Sequence, residues 1–90
     1  MQSYFIERKV ELLRHTLGIG DHVKHKDWGF RNYFAAGDSQ VSDFEALVRQ
    51  GLAIKTGKRD GLVYFAATEA GMRVAGLSAK KILKLTTEAK

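Results

Sequence analysis

Residues 42–71 read SDFEALVRQGLAIKTGKRDGLVYFAATEAG, and within them the apolar period changes from helix to strand and back to helix. Ser42 and Glu45 have the spacing of a capping box, in which hydroxyl and carboxylate each take an orphan backbone N–H. That spacing predicts a helix from Asp43. Gly51, free to adopt a left-handed conformation, would close it, with Leu52 folding back onto Leu47. Residues 53–56 and 62–67 then predict a hairpin whose loop is the five residues 57–61, GKRDG. Thr68 is a helix cap with Glu69 in the first turn, and Met72, Ala75 and Ala79 share a helical face. Gly71 and Gly76 weaken this helix, and Ser78 restarts it toward Ile82, Leu83 and Leu85. Residues 86–90 are expected to fray.

Upstream, Ile6, Val10, Leu13 and Leu17 recur at steps of four, three and four, which predicts a helix over 4–17. Phe5 and Leu12 widen its stripe, Ser3 would cap its start and Gly18 its end, and Arg8, Glu11 and Arg14 lie on the wet side. Residues 18–29, GIGDHVKHKDWG, have no apolar period and read as a loop that needs an anchor, for which Trp28 is the obvious candidate. Residues 30–36, FRNYFAA, suit either a short helix or a strand. The tetrapeptide YFAA at 33–36 recurs at 64–67, and each copy runs into residues that start helices, Gly37-Asp38-Ser39 and Thr68-Glu69. The recurrence favours two strands of one sheet. The expectation is a single α+β domain over residues 1–90, with three main helices and an antiparallel sheet of two to three strands.

The 90 residues carry a formal net charge of +5 and no cysteine. The absence of cysteine removes disulfides, thiolate metal sites and thiol nucleophiles, and suits the cytoplasm. Charges at Glu7, Arg8, Lys9 and Glu11 interrupt the N-terminal apolar pattern, so no membrane span or signal peptide is expected there. The charge is uneven: −2 over residues 38–50 but +3 over residues 78–90. The best-defined helix is thus the acidic part of a basic chain.

The element order, with ALVRQGLAIKTGKRDGLVYFAATEAG at its centre, resembles that of bacterial winged-helix regulators. The resemblance implies that Leu47 and Gly51-Leu52 close a recognition helix, that residues 57–61 form the wing tip, and that Thr68 and Gly71 match a T-x-x-G helix start. The chain departs from that family before the recognition helix, where FRNYFAA reads as a strand and not as a first helix. Asp38, Asp43 and Glu45 would also oppose the phosphate field. Two fragments, HTLGI at 15–19 and WGFRNYFAAG at 28–37, look like those of small proteins encoded by phages and prophages, which implies a phage-type setting and brings no activity with it.

The candidate nucleic-acid contacts are Lys24, Lys26 and Arg31 in and after the loop, Lys55, Lys58 and Arg59 around the wing, and Lys80 and Lys84 one helical turn apart near the end. Lys81 and Lys90 belong to the same basic tail. His22, His25 and Trp28 interleave aromatic surface with the loop cations, which suits stacking on bases. Burial of Trp28 and Phe30 in the core is the competing expectation, and Arg31 and Asn32 suit bonding to backbone carbonyls. Asp21, His22, His25 and Asp27 could be drawn as a metal cluster, but the intervening lysines oppose a divalent cation and no metal is expected. His15 suits a place beside the negative end of the first helix. No nucleophile elbow or phosphate-binding glycine loop is present, so neither catalysis nor a cofactor is expected. The expected role is a binding module, for nucleic acid first. A host or phage protein, or a second copy joined through Ile82, Leu83 and Leu85, is the alternative.

Overall fold

The structure, a computed structural model, describes residues 2–88, with side chains described for residues 7–87. Its elements are α1 (Gln2–Leu17), a single 3-10 turn at His25–Asp27, β1 (Phe34–Ala36), α2 (Asp38–Arg49), β2 (Ala53–Arg59), β3 (Leu62–Ala67), α3 (Glu69–Ala75) and α4 (Ala79–Glu88). The fold is α+β, with four helices and one antiparallel sheet of strand order β1-β3-β2.

The two YFAA copies meet in that sheet. Phe34 lies opposite Phe65, Ala35 opposite Tyr64 and Ala36 opposite Val63. Because directly opposed residues share a face, Phe34 and Phe65 both point inward, and Phe44 of α2 packs against them with ring centroids 4.8 and 4.9 Å away. Leu13 and Leu17 of α1, Leu47 of α2, Met72 and Ala75 of α3, Leu77 and Ile82 complete the core. On the opposite face of the sheet, Ile54 beside Ala66 is half exposed.

Three helix ends share one device. At Gly18, Gly51 and Gly76 the backbone takes a positive φ, and the apolar residue that follows returns its N–H to a carbonyl five positions back: Ile19 to Arg14, Leu52 to Leu47 and Leu77 to Met72. This is the Schellman motif, which satisfies orphan carbonyls and turns an apolar side chain back to the core. Gly76 therefore ends α3, and Ser78 starts α4 separately by accepting the Lys81 N–H on its hydroxyl. This is why there are four helices where three main ones were expected. Ala79 opens α4, exposed, and does not join Met72 and Ala75 on one face.

Gly71 serves a close approach. Its missing side chain lets α3 approach β2's entry so closely that a Cβ there would overlap the Leu52 carbonyl oxygen. Thr68 completes the junction: its hydroxyl donates to the Gly51 carbonyl at 2.6 Å and accepts the Gly71 N–H at 3.1 Å. The T-x-x-G spacing thus joins a helix cap to a close approach.

Other boundaries differ from the sequence expectation. Helix α2 begins at Asp38, not Asp43, with Gly37 as its N-cap and the Gln40 side-chain carbonyl accepting the Gly37 N–H at 3.3 Å. Ser42 and Glu45 are exposed residues inside the helix, because the apolar period already starts at half-buried Val41 and continues through Phe44 and Leu47. The hairpin loop is two residues, not five. Asp60 and Gly61 both have positive φ, the requirement of a tight hairpin turn whose twist matches the strands. Gly57 instead lies at a bulge, where Thr56 is the extra residue between the pairs Lys55–Phe65 and Gly57–Tyr64.

At the chain ends, Ser3 lies within α1 and does not precede it. Ile6 and Phe5 fall outside the described side chains. Helix α4 runs to Glu88, with the Thr86 hydroxyl bonded to the Ile82 carbonyl at 2.9 Å; residues 89–90, including Lys90, lie outside the described residues. No helix is long and apolar enough to cross a membrane among the described residues.

Candidate nucleic-acid interface

The segment between α1 and β1 is built around the last turn of α1. A helix leaves its last four carbonyls without intrahelical partners, and here all four are met. Ile19 N–H takes that of Arg14, Gly18 N–H and the Arg31 guanidinium that of His15, Tyr33 N–H that of Thr16, and Gly29 N–H that of Leu17. Arg31 donates from Nε and Nη2 at 3.3 and 2.8 Å, placing a cation where the helix dipole is negative. His15 sits in the same turn, its ring edge-on to Phe34 at 6.0 Å.

Asn32 continues the sheet with its side chain. Its amide donates to the Ala67 carbonyl at 3.1 Å and accepts the Ala67 N–H at 2.8 Å, as a neighbouring strand would. Arg31 and Asn32 thus both bond backbone groups, the structural role expected for them. The Arg31 side chain is committed to α1.

Trp28 anchors the loop. Its indole donates to the Val23 carbonyl at 3.1 Å, stacks on His25 at 3.9 Å and lies under the Arg14 guanidinium, which also donates to the Ala75 carbonyl. It is half-buried against the core. Phe30, expected to be buried as well, is 63 % exposed. Two of its neighbours explain this: Gly29 packs on Leu77 and Leu85, and the Phe30 ring rests on Gly18, outside the core.

Besides Arg31, the candidate contacts fall into two groups. Lys24 and Lys26 of the loop and Lys80 and Lys84 of α4 are exposed, and Lys81 links the two elements, donating from Nζ to the Lys26 carbonyl at 2.6 Å. On α4 the exposed stripe is Lys80, Leu83, Lys84 and Thr87, while Ile82 is buried and Leu85 packs on the core. Of the three apolar residues expected to meet a second copy, Leu83 alone is left at the surface. The second group, Lys55, Lys58 and Arg59, is exposed on β2, with Asp60 3.8 Å from Arg59 in an open pair. The loop adjoins the Ala67 end of β3 through Asn32, whereas the hairpin turn precedes Leu62. Lys55 lies partway along β3, opposite Phe65, and at about 3.4 Å per residue the length of β3 sets Arg59, opposite Leu62, roughly 17 Å from the Ala67 end.

The acidic helix is partly neutralised from within. Asp43 of α2 receives Arg8 of α1 at 2.9 Å, an ion pair between helices that the segment charges did not reveal. Asp38 and Glu45 remain exposed on α2. Asp21, His22, His25 and Asp27 do not converge: among the described residues no three His, Asp or Glu side chains gather where they could hold a metal ion. A depression of about 440 Å³ opens between the end of α1 and the start of α2 and mixes both charge signs, from Glu11, Arg14, His15 and Asp21.

Two aromatic residues and one lysine gain significance only in the fold. Phe30 and Tyr33 are exposed on either side of Arg31. Lys81 ties the basic loop to the basic helix. The sequence signal was present for the first pair, since two aromatics flank an arginine in a stretch without regular period. A comparison of the chain with family models, curated proteins and solved structures finds no match.

Proposed function

We propose that the protein is a non-enzymatic binding module of winged-helix-like build, working in the cytoplasm in a phage-type setting, and that its partner is nucleic acid. The carrying observation is the Lys81–Lys26 contact, which joins the loop that bears Lys24 and Lys26 to the helix that bears Lys80, Lys81 and Lys84. Phosphates are the natural counter-charge for such a cluster. The cations of the hairpin form a second, separate contact. The winged-helix likeness rests on the hairpin that follows α2 and on the sheet order β1-β3-β2. It is reduced, because one helix stands between β1 and β2 where a helix-turn-helix has two. Binding is therefore assigned to the lysine cluster and the hairpin, and not to groove reading by α2.

Titration of fluorescent duplex and single-stranded oligonucleotides at about 50 and about 200 mM salt tests this. Four phosphate contacts predict roughly a hundredfold loss of affinity between those conditions. Absence of binding at the lower salt sinks the proposal.

A second reading, self-association, is favoured by one observation: Leu83 is 67 % exposed at the centre of the α4 stripe. Light scattering over a concentration series tests it. A strict monomer whose mass is unchanged by Leu83→Ser rejects it.

A further inference from the structure

We propose that Phe30 and Tyr33 form a stacking platform for the bases of a single-stranded nucleic acid, with Lys24 and Lys26 as the adjoining phosphate contacts. The inference rests on the nucleic-acid reading above and narrows it to unpaired strands.

Phe30 and Tyr33 are 63 % and 54 % exposed in a small domain that has every reason to bury large rings. Their exposure is fixed by the backbone. The chain from Gly29 to Tyr33 is held along α1 by the Gly29 and Tyr33 N–H groups and by the Arg31 guanidinium, so neither ring can turn into the core without releasing a helix carbonyl. The Arg31 guanidinium carbon lies 5.7 Å from the Phe30 centroid and 5.8 Å from the Tyr33 centroid, a cation–π neighbour to both. Two rings are thus held in the open beside one immobilised cation.

The surroundings match the chemistry of a strand. Phe30 shares the rim of an open depression with His22, Val23, Lys24, Lys26 and Asp27, of which His22, Lys24 and Lys26 are able to meet a phosphate or base edge and Asp27 is a single carboxylate opposing them. Exposed aromatic faces next to backbone-tracking cations are the elements of sequence-tolerant single-strand binding. Bases inside a duplex are already stacked on one another and do not present their faces to such rings. The platform therefore discriminates by strandedness.

The test uses the full chain, a fluorescent 15-mer of dT and a 15-base-pair duplex, followed by anisotropy at low salt. Wild-type protein is expected to prefer the single strand. Phe30→Ala and Tyr33→Ala are each expected to weaken single-strand binding by roughly tenfold and to leave duplex binding within about twofold. Phe30→Tyr and Tyr33→Phe, which keep the rings, should bind as wild type does, and circular dichroism of all four variants checks that they fold. Alanine variants that bind the single strand as tightly as wild type, while Lys24→Gln/Lys26→Gln weakens both probes, overturn the platform and leave the nucleic-acid reading standing. Wild-type protein that binds neither probe overturns both.

Discussion

Residues 18–33 and residues 37–71 adjoin the same core, and they reach it by different means. The second segment is assembled from local rules: a helix closed by Gly51 and Leu52, a hairpin turned by Asp60-Gly61, and a cap at Thr68 that spans three residues to Gly71. The first has one 3-10 turn of its own and is held by side chains reaching elsewhere, with Arg31 on His15, Asn32 on Ala67, and Trp28 under Arg14. The difference teaches where a small domain can place an interaction surface. A segment that owes its shape to the rest of the fold can leave its own rings exposed, whereas the helix-hairpin segment must bury Phe44, Leu47 and Phe65 to exist at all.

The contrast predicts unequal responses to substitution. The greatest loss is expected in the helix-hairpin segment at Phe44, fully buried between Phe34 and Phe65. Phe44→Ala should cost about 4 kcal/mol in urea unfolding, a large share of a small domain's stability. Next comes Gly71→Ala, whose methyl group meets the Leu52 carbonyl and the Leu13 side chain. It should cost about 2 kcal/mol, and a neutral result would show that α3 can shift away from β2.

In the other segment, Asn32→Ala strips both Ala67 backbone groups of their partner. About 1–2 kcal/mol is expected, together with faster amide exchange at Ala67, while amides of the hairpin turn stay unchanged. Arg31→Ala should cost about 1 kcal/mol by removing the charged donor from the His15 carbonyl, which keeps the Gly18 N–H. If it proved as damaging as Phe44→Ala, the loop would be part of the core's cooperative unit and the contrast would fail. Smallest is Asp43→Asn, which removes the partly exposed pair with Arg8. A few tenths of a kcal/mol is expected, shrinking further in high salt.

Much of the architecture was legible from particular residues. The repeated YFAA announced two strands, and they lie side by side. Gly51 followed by Leu52 announced a helix end, and the same logic explains Gly18-Ile19 and Gly76-Leu77. Ser42 and Glu45 imitate a cap inside α2, whose true start is at Gly37-Asp38-Ser39, which also suits a helix start. The hairpin loop was overestimated because Gly57 resembles a turn residue, while its glycine serves the bulge.

The candidate site was less legible. Arg31 suits a nucleic-acid contact and a backbone ligand alike, and the fold uses it as the latter. Phe30 was expected inside and lies outside. Lys81 differs from Lys80 in nothing local, yet only Lys81 faces the Lys26 carbonyl. Such assignments depend on which surfaces the fold has already occupied.

Local chain physics therefore determined the class, the helix ends and the hairpin, because a glycine with positive φ, a capping hydroxyl and an Asp-Gly turn act within five or six residues. The tertiary structure alone decided that Arg8 answers Asp43, that Asn32 stands in for a strand, and that Phe30 and Tyr33 face solvent around Arg31. Those outcomes join positions up to 35 residues apart. They follow from a competition for a small core and a few free carbonyls, which no local pattern records.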